Sequence, residues 1–169
     1  MKRTMLFLLL FQSLSVSLVF GLYEEHDKET LKGLNSFFIG INLNQEAKDL
    51  GLADQIKTDI NSKLLMTGIK ILSYDEWLTA PGKPLLVVEF NVMKVKNKIG
   101  DYTGEITYAV GIEVQQEVVL SRDANISAVT TTWASSCFGY THDPGELRNA
   151  LNYRLDDFCN AYLSVNPKE

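Results

Sequence analysis

The sequence predicts an α+β two-layer sandwich: a mixed, mainly antiparallel sheet of about five strands with two helices packed on one face. Three observations predict it. Ile106 to Leu120 alternates, with Ile106, Tyr108, Val110, Ile112 and Val114 in one phase and Thr107, Glu113, Gln115 and Glu117 in the other. A period of two over that length is a long strand with one covered face. Ile56, Ile60, Leu64 and Leu65, and later Leu147, Leu151, Leu155, Phe158 and Tyr162, recur at helical spacing and make two apolar stripes. Two such stripes suffice to cover one face of one sheet, and 169 residues suit a single domain.

The elements follow in order. Residues 34–43 (LNSFFIGINL) alternate through Phe37, Ile39 and Ile41 and predict a first strand. Asn44 to Gly51 reads as a polar connection. The first helix is predicted over about Asp54 to Met66, closed by Gly68. Ile69 to Leu72 makes a short second strand, and strand–helix–strand implies a parallel pair. Ser73 caps a single helical turn, and Pro81-Gly82-Lys83-Pro84 breaks the chain. Leu85 to Val95 is the third strand, residues 96–101 a hairpin turn, and the long strand the fourth. Ile126 to Phe138 is the fifth, with its β-branched run Val129 to Thr132 before Trp133. Asp143, Pro144 and Glu146 read as a capping box that opens the last helix, which stops before Asn166-Pro167. The face away from the helices is expected to be polar and wet, carrying Lys94, Lys96, Thr107, Glu113, Gln115 and Glu117.

The beginning of the chain sets the compartment. Lys2 and Arg3 precede an apolar run from Met5 to Phe20, softened by Gln12 and serines, and Gly21 precedes charge at Glu24-Glu25. This is the layout of a secretory signal peptide over residues 1–21, shorter than a membrane span. Residues 22–33 are expected to be a flexible lead-in and 34–166 one domain, periplasmic or secreted. Loss of Lys2 and Arg3 would take the net charge from −5 to −7. An acidic chain without a basic stripe is no match for nucleic acid. Cys137 and Cys159, in an exported chain, are a candidate disulfide or two separate buried thiols.

The search for chemistry returns absences. The sequence holds no G-x-S-x-G elbow and no phosphate-binding glycine loop, and His26 and His142 with two distant cysteines make no zinc spacing. Ser135-Ser136-Cys137 followed by His142 is the nearest approach to a nucleophile and base. Glu113 and Glu117 lie two pleats apart on one face, too far for a glycosidase pair. Trp77 and Trp133 are candidates for a binding site or for the core, and Asn125-Ile126-Ser127 matches the glycosylation triplet.

Five pieces of the chain carry a resemblance: GLADQIKTDINSKLLMTGIKILSYDEW (51–77), PGKPLLVVEF (81–90), QQEVVLSRD (115–123), AVTTTWASS (128–136) and the closing Asp-Phe-x-x-x-Tyr-Leu-x-Val-Asn-Pro from Asp157 to Pro167. From about Leu31 to Pro167 the chain resembles a group of uncharacterised exported bacterial proteins, each a signal peptide plus one small domain. In the order of its elements it also resembles the small envelope domains typified by the amino-terminal domain of TolB and by FlgO. The resemblance implies a fold and carries over no site residue. The function expected is a non-enzymatic exported domain, without cofactor or metal, that binds another envelope component, a protein, through an exposed edge strand, the first or the fifth. The alternative is a periplasmic carrier of a small ligand or lipid. Membrane contact is expected only through the signal segment.

Overall fold

The computed structural model describes residues 27–167. The segment at 1–21, expected to be a signal peptide, lies outside the described residues. Chain order is β1 (Ser36–Leu43), α1 (Gln45–Asp49), α2 (Ala53–Thr67), β2 (Lys70–Ile71), α3 (Tyr74–Thr79), β3 (Leu85–Lys96), β4 (Tyr102–Leu120), β5 (Asp123–Thr141) and α4 (Pro144–Val165). The five strands form one sheet in the order β2-β1-β3-β4-β5. β1 pairs parallel with both β2 and β3, while β3, β4 and β5 form an antiparallel meander. The α+β sandwich is thus observed, with two short helices added to the two main ones.

One face of the sheet is apolar and covered. Leu86, Val88, Phe90 and Val92 from β3, Val110, Ile112 and Val114 from β4, and Trp133 from β5 share a buried cluster with Ile56, Ile60 and Leu64 of α2 and Leu147, Leu151, Leu155 and Phe158 of α4. The aromatic rings meet edge-on: Phe158 lies 5.6 Å from Phe37 and 5.4 Å from Trp133, ring centre to ring centre. That geometry places ring hydrogens on the negative faces and adds to the burial itself. Trp133 is therefore a core residue.

Several local details depart from the sequence expectation. Asn44 to Gly51 is not an open connection. The Asn44 side chain caps α1 by accepting from the Ala47 N–H, and Ala47 is buried. The same amide pairs with β3, Nδ2 donating to the Val92 carbonyl and Oδ1 accepting from the Val92 N–H. It stands where the next peptide group of β1 would stand, so the parallel ladder is closed by a side chain. The Asp143 box is also only half formed. Asp143 accepts from Gly145 N–H, but the Glu146 carboxylate turns to the Thr141 hydroxyl instead of the cap. The complete box is at α3, where Ser73 and Glu76 satisfy each other. Lys94 pairs with Ile106 and so stands on the helix side of the sheet, not with Thr107. The expected flexible lead-in differs from residue 27 onward: residues 27–29 are helical and Leu31 is fully buried. Leu31 joins the core cluster, and its carbonyl accepts from Asn166 Nδ2 at the end of α4.

Among the described residues no helix is long and apolar enough to cross a membrane.

Two predictions follow from packing and capping. Leu155→Ala removes a fully buried side chain from the α4 stripe and should cost about 2–5 kcal/mol in denaturant titration. Glu76 is held down to about 2, first by the hydrogen bond from Lys70 and then by those from Ser73. Its folded value lies below its unfolded value of 4.5, so its contribution is present above pH 4.5 and lost as pH falls towards 2. Thermal melts of Glu76→Gln should therefore sit below wild type at pH 7 and converge with it near pH 2. Parallel curves at all pH values would contradict that assignment.

Candidate interaction surface

The residues that the sequence singled out for chemistry are dispersed. Ser135 Oγ donates to Asp157 and accepts from Arg154, which also pairs with Asp157 at 2.9 Å. It is a bracket between β5 and α4. Ser136 points to the other face. Cys137 and His142 are five residues apart along an extended strand, about 17 Å, and His142 is exposed, 3.9 Å from Glu105. They do not form a nucleophile–base pair. Glu113 accepts from Thr131, and Glu117 pairs with Lys83 at 3.0 Å and accepts from Ser127. The Lys83 contact, more than the Ser127 hydroxyl, holds the Glu117 carboxyl below its ordinary range. Asn125 lies at the exposed start of β5, its amide turned to Asp123.

Both cysteines are free thiols. Cys159 is buried on the side of α4 that meets α2, where Thr67 Oγ1 donates to its sulfur at 3.2 Å. Cys137 is half-buried on β5, opposite Val110. Burial pushes the Cys159 thiol up from its ordinary value. Reaction with an aromatic disulfide reagent should modify one thiol, Cys137, in the native protein and both in denaturant. Two fast native equivalents, or none, would contradict the placement of these side chains.

What the fold assembles is a surface. The face away from α2 and α4 (the outer face) is covered at one end only. Phe38 of β1 stacks on Trp77 of α3 at 5.4 Å, with Tyr74 beside both. Trp77 Nε1 donates to the Lys83 carbonyl, which seats α3 on this face and buries Val87. Trp77 is thus part of a lid over one end of the sheet. Beyond it nothing among the described residues covers the outer face. Register places Met93, Thr107 and Tyr140 in one row, Asn91, Ala109 and Phe138 in the next, and Glu89, Gly111 and Ser136 in the third. Phe138 is 90% exposed, Tyr140 74% and Met93 58%. The small residues Ala109 and Gly111 on the central strand leave an open floor between the β5 aromatics and Asn91 and Glu89. A depression of about 370 Å³ opens beside this floor, lined by Asn91, Met93, Thr107 and Ala109 among others. The expectation of a merely polar outer face missed this patch, although the alternation of Phe138 and Tyr140 with Gly139 was visible.

Among the described residues β5 is an edge strand of the sheet, paired on one side only. β1 is not an edge strand: it lies between β2 and β3, although β2 accompanies only Ser36 and Phe37. The β4–β5 hairpin also outruns the helices. From residue 121 to residue 131 every residue is exposed, including Ile126 and Val129.

No family model matches the chain, and no curated protein matches it. Among solved structures it is similar to the rare lipoprotein B from Shewanella oneidensis, at 14% identity over 77% of this chain and 92% of that one, with a TM-score of 0.32. A likeness this loose carries no argument about function.

Proposed function

We propose that this chain is an exported, non-enzymatic binding module, and that another protein of the cell envelope docks on its outer face between α3 and β5. The observation that carries the reading is Phe138, an aromatic ring 90% exposed on a strand, with the exposed Tyr140 two residues along on the same face. Exposed large apolar side chains set among polar ones are a mark of protein interaction sites. A rigid strand presents these rings at little entropic cost on binding, and exposed aromatics are the residues that dominate interface energies. Fully burying one such ring is worth about 1.5–3 kcal/mol. Asn91, Glu89 and Thr107 supply a polar rim. Export rests on the layout of residues 1–21.

The test is a photocrosslinking amino acid placed at Phe138 in living cells, with Lys57, on the solvent side of α2, as the control position. One discrete adduct with an envelope protein is expected from position 138 and none from 57. Tyr140→Ser should reduce capture at least tenfold while leaving the melting temperature unchanged. An adduct only with the chain itself, or equal labelling from both positions, would sink the reading.

A further inference from the structure

The β3–β4 hairpin ends in a cationic tip. Lys94, Lys96 and Lys98 alternate along it, and Asp101 is the only acid between Lys94 and Tyr102, so the segment is net positive in a chain of net charge −5. Among the described residues Lys63, Lys70 and Lys83 each pair with a carboxylate, whereas Lys94, Lys96 and Lys98 pair with none. Lys96 instead stands over Tyr102, its Nζ 4.9 Å from the ring centre. Every residue from 96 to 104 is exposed, and Ile99 at the apex is 83% exposed.

The turn is closed on itself. Asn97 Oδ1 accepts from the Ile99 and Asp101 N–H groups. The Gly100 N–H donates to the Asn97 carbonyl, and the Asn97 N–H donates to the Asp101 carbonyl. Thr103 Oγ1 donates to the Val95 carbonyl just below. From 97 to 101 only the Lys98 N–H is left without a partner inside the turn. A backbone must have its donors satisfied before it can leave water.

We propose that this tip docks on an anionic phospholipid bilayer, with Ile99 entering the acyl boundary and the lysines reaching the phosphates. The occupant is argued from charge and from the order of groups along the hairpin. The apex is apolar, Lys98 adjoins it, and Lys96 and Tyr102 form the next rung back. Lysine stems lie along apolar surface while their heads reach the phosphate layer, and tyrosine suits the same interface. A protein partner would have to enclose this convex apex in a matching pocket, whereas lipid closes around it. Glu105, the next acid along β4, lies about 13 Å beyond Asp101, further than the Debye length of about 8 Å at physiological ionic strength. The acidity of the rest of the chain is thus largely screened at the tip. Near an anionic surface each lysine is worth about fivefold in binding constant, and burial of an isoleucine about ten- to a hundredfold. Set against the Asp101 charge, these give half-binding at about millimolar lipid, which is weak and reversible.

This contact goes beyond the protein docking proposed above and does not rest on it, since it uses neither Phe138 nor Tyr140. It is also separate from the contact expected of residues 1–21. The test sediments protein expressed from the full sequence, purified as the cell leaves it, with vesicles of phosphatidylcholine containing one-third phosphatidylglycerol, and with vesicles of phosphatidylcholine alone. Binding is expected at millimolar lipid with the first and background with the second. Ile99→Ser should weaken it at least about tenfold and Lys98→Glu about twentyfold, both with unchanged melting temperature. Asp101→Asn should strengthen it about fivefold. Lys57→Glu, the same charge change on the solvent side of α2, should leave it as it was. Absence of binding to the anionic vesicles overturns the proposal, as does equal binding to both kinds. Binding that Ile99→Ser leaves intact, or that Lys57→Glu weakens as much as Lys98→Glu, overturns it too, since the contact would then lie elsewhere on the chain.

Discussion

The structure depends on a mismatch of lengths between α4 and the hairpin it covers. α4 has 22 residues and β4 and β5 have 19 each. A helix rises about 1.5 Å per residue and a strand about 3.4 Å, so the helix spans about 33 Å and each strand about 65 Å. A helix of that length hides half of such a strand. The half it hides holds Val110, Ile112, Val114 and Trp133, the core. The other half becomes an arm that is exposed throughout from residue 121 to residue 131. The exposure of the hairpin arm on its helix side follows from where α4 stops.

The covered half is conventional in its physics. Alternation on β3 and β4 supplies one apolar face, α2 and α4 supply the stripes, and Phe37, Trp133, Phe158 and Tyr162 fill the seam with rings that meet edge-on, the tilted Phe158–Tyr162 pair excepted. The outer face is handled differently at its two ends. At β1 the Phe38–Trp77 stack and the α3 lid close it. At β5 no element follows that might return to cover it, because the chain leaves β5 directly into α4 on the opposite side. The topology therefore assigns the bare aromatics to the β5 side of the sheet.

The strands and the two main helices were legible because each writes a period into the sequence. The β4 alternation and the Leu147–Leu151–Leu155 stripe are properties of the residues alone. Boundaries set by partners were less so. β5 runs from Asp123 to Thr141, not 126 to 138, because β4 offers it a ladder that long. α1 was invisible: four polar residues and Ala47 become helical with Asn44 serving as cap and as ladder rung at once. Lys94 was placed on the wrong face for want of cross-strand register. The aromatic patch was half visible, since Phe138 and Tyr140 share a phase, but their neighbour Met93 lies 45 positions earlier and only the sheet brings them together. The candidate chemistry dissolved for the same reason in reverse: Cys137 and His142 are close in sequence and far apart on an extended strand.

Asn166 deserves a last consequence. Its carboxamide oxygen accepts from the Gly33 N–H and its amide nitrogen donates to the Leu31 carbonyl, so one side chain near the end of the chain holds the beginning of the fold in place. The meander β3–β4–β5 joins strands that are neighbours in sequence and needs no such long-range closure. The chain's topology thus separates an early, local event from a late one, because contacts across more than 130 residues are the slowest to find.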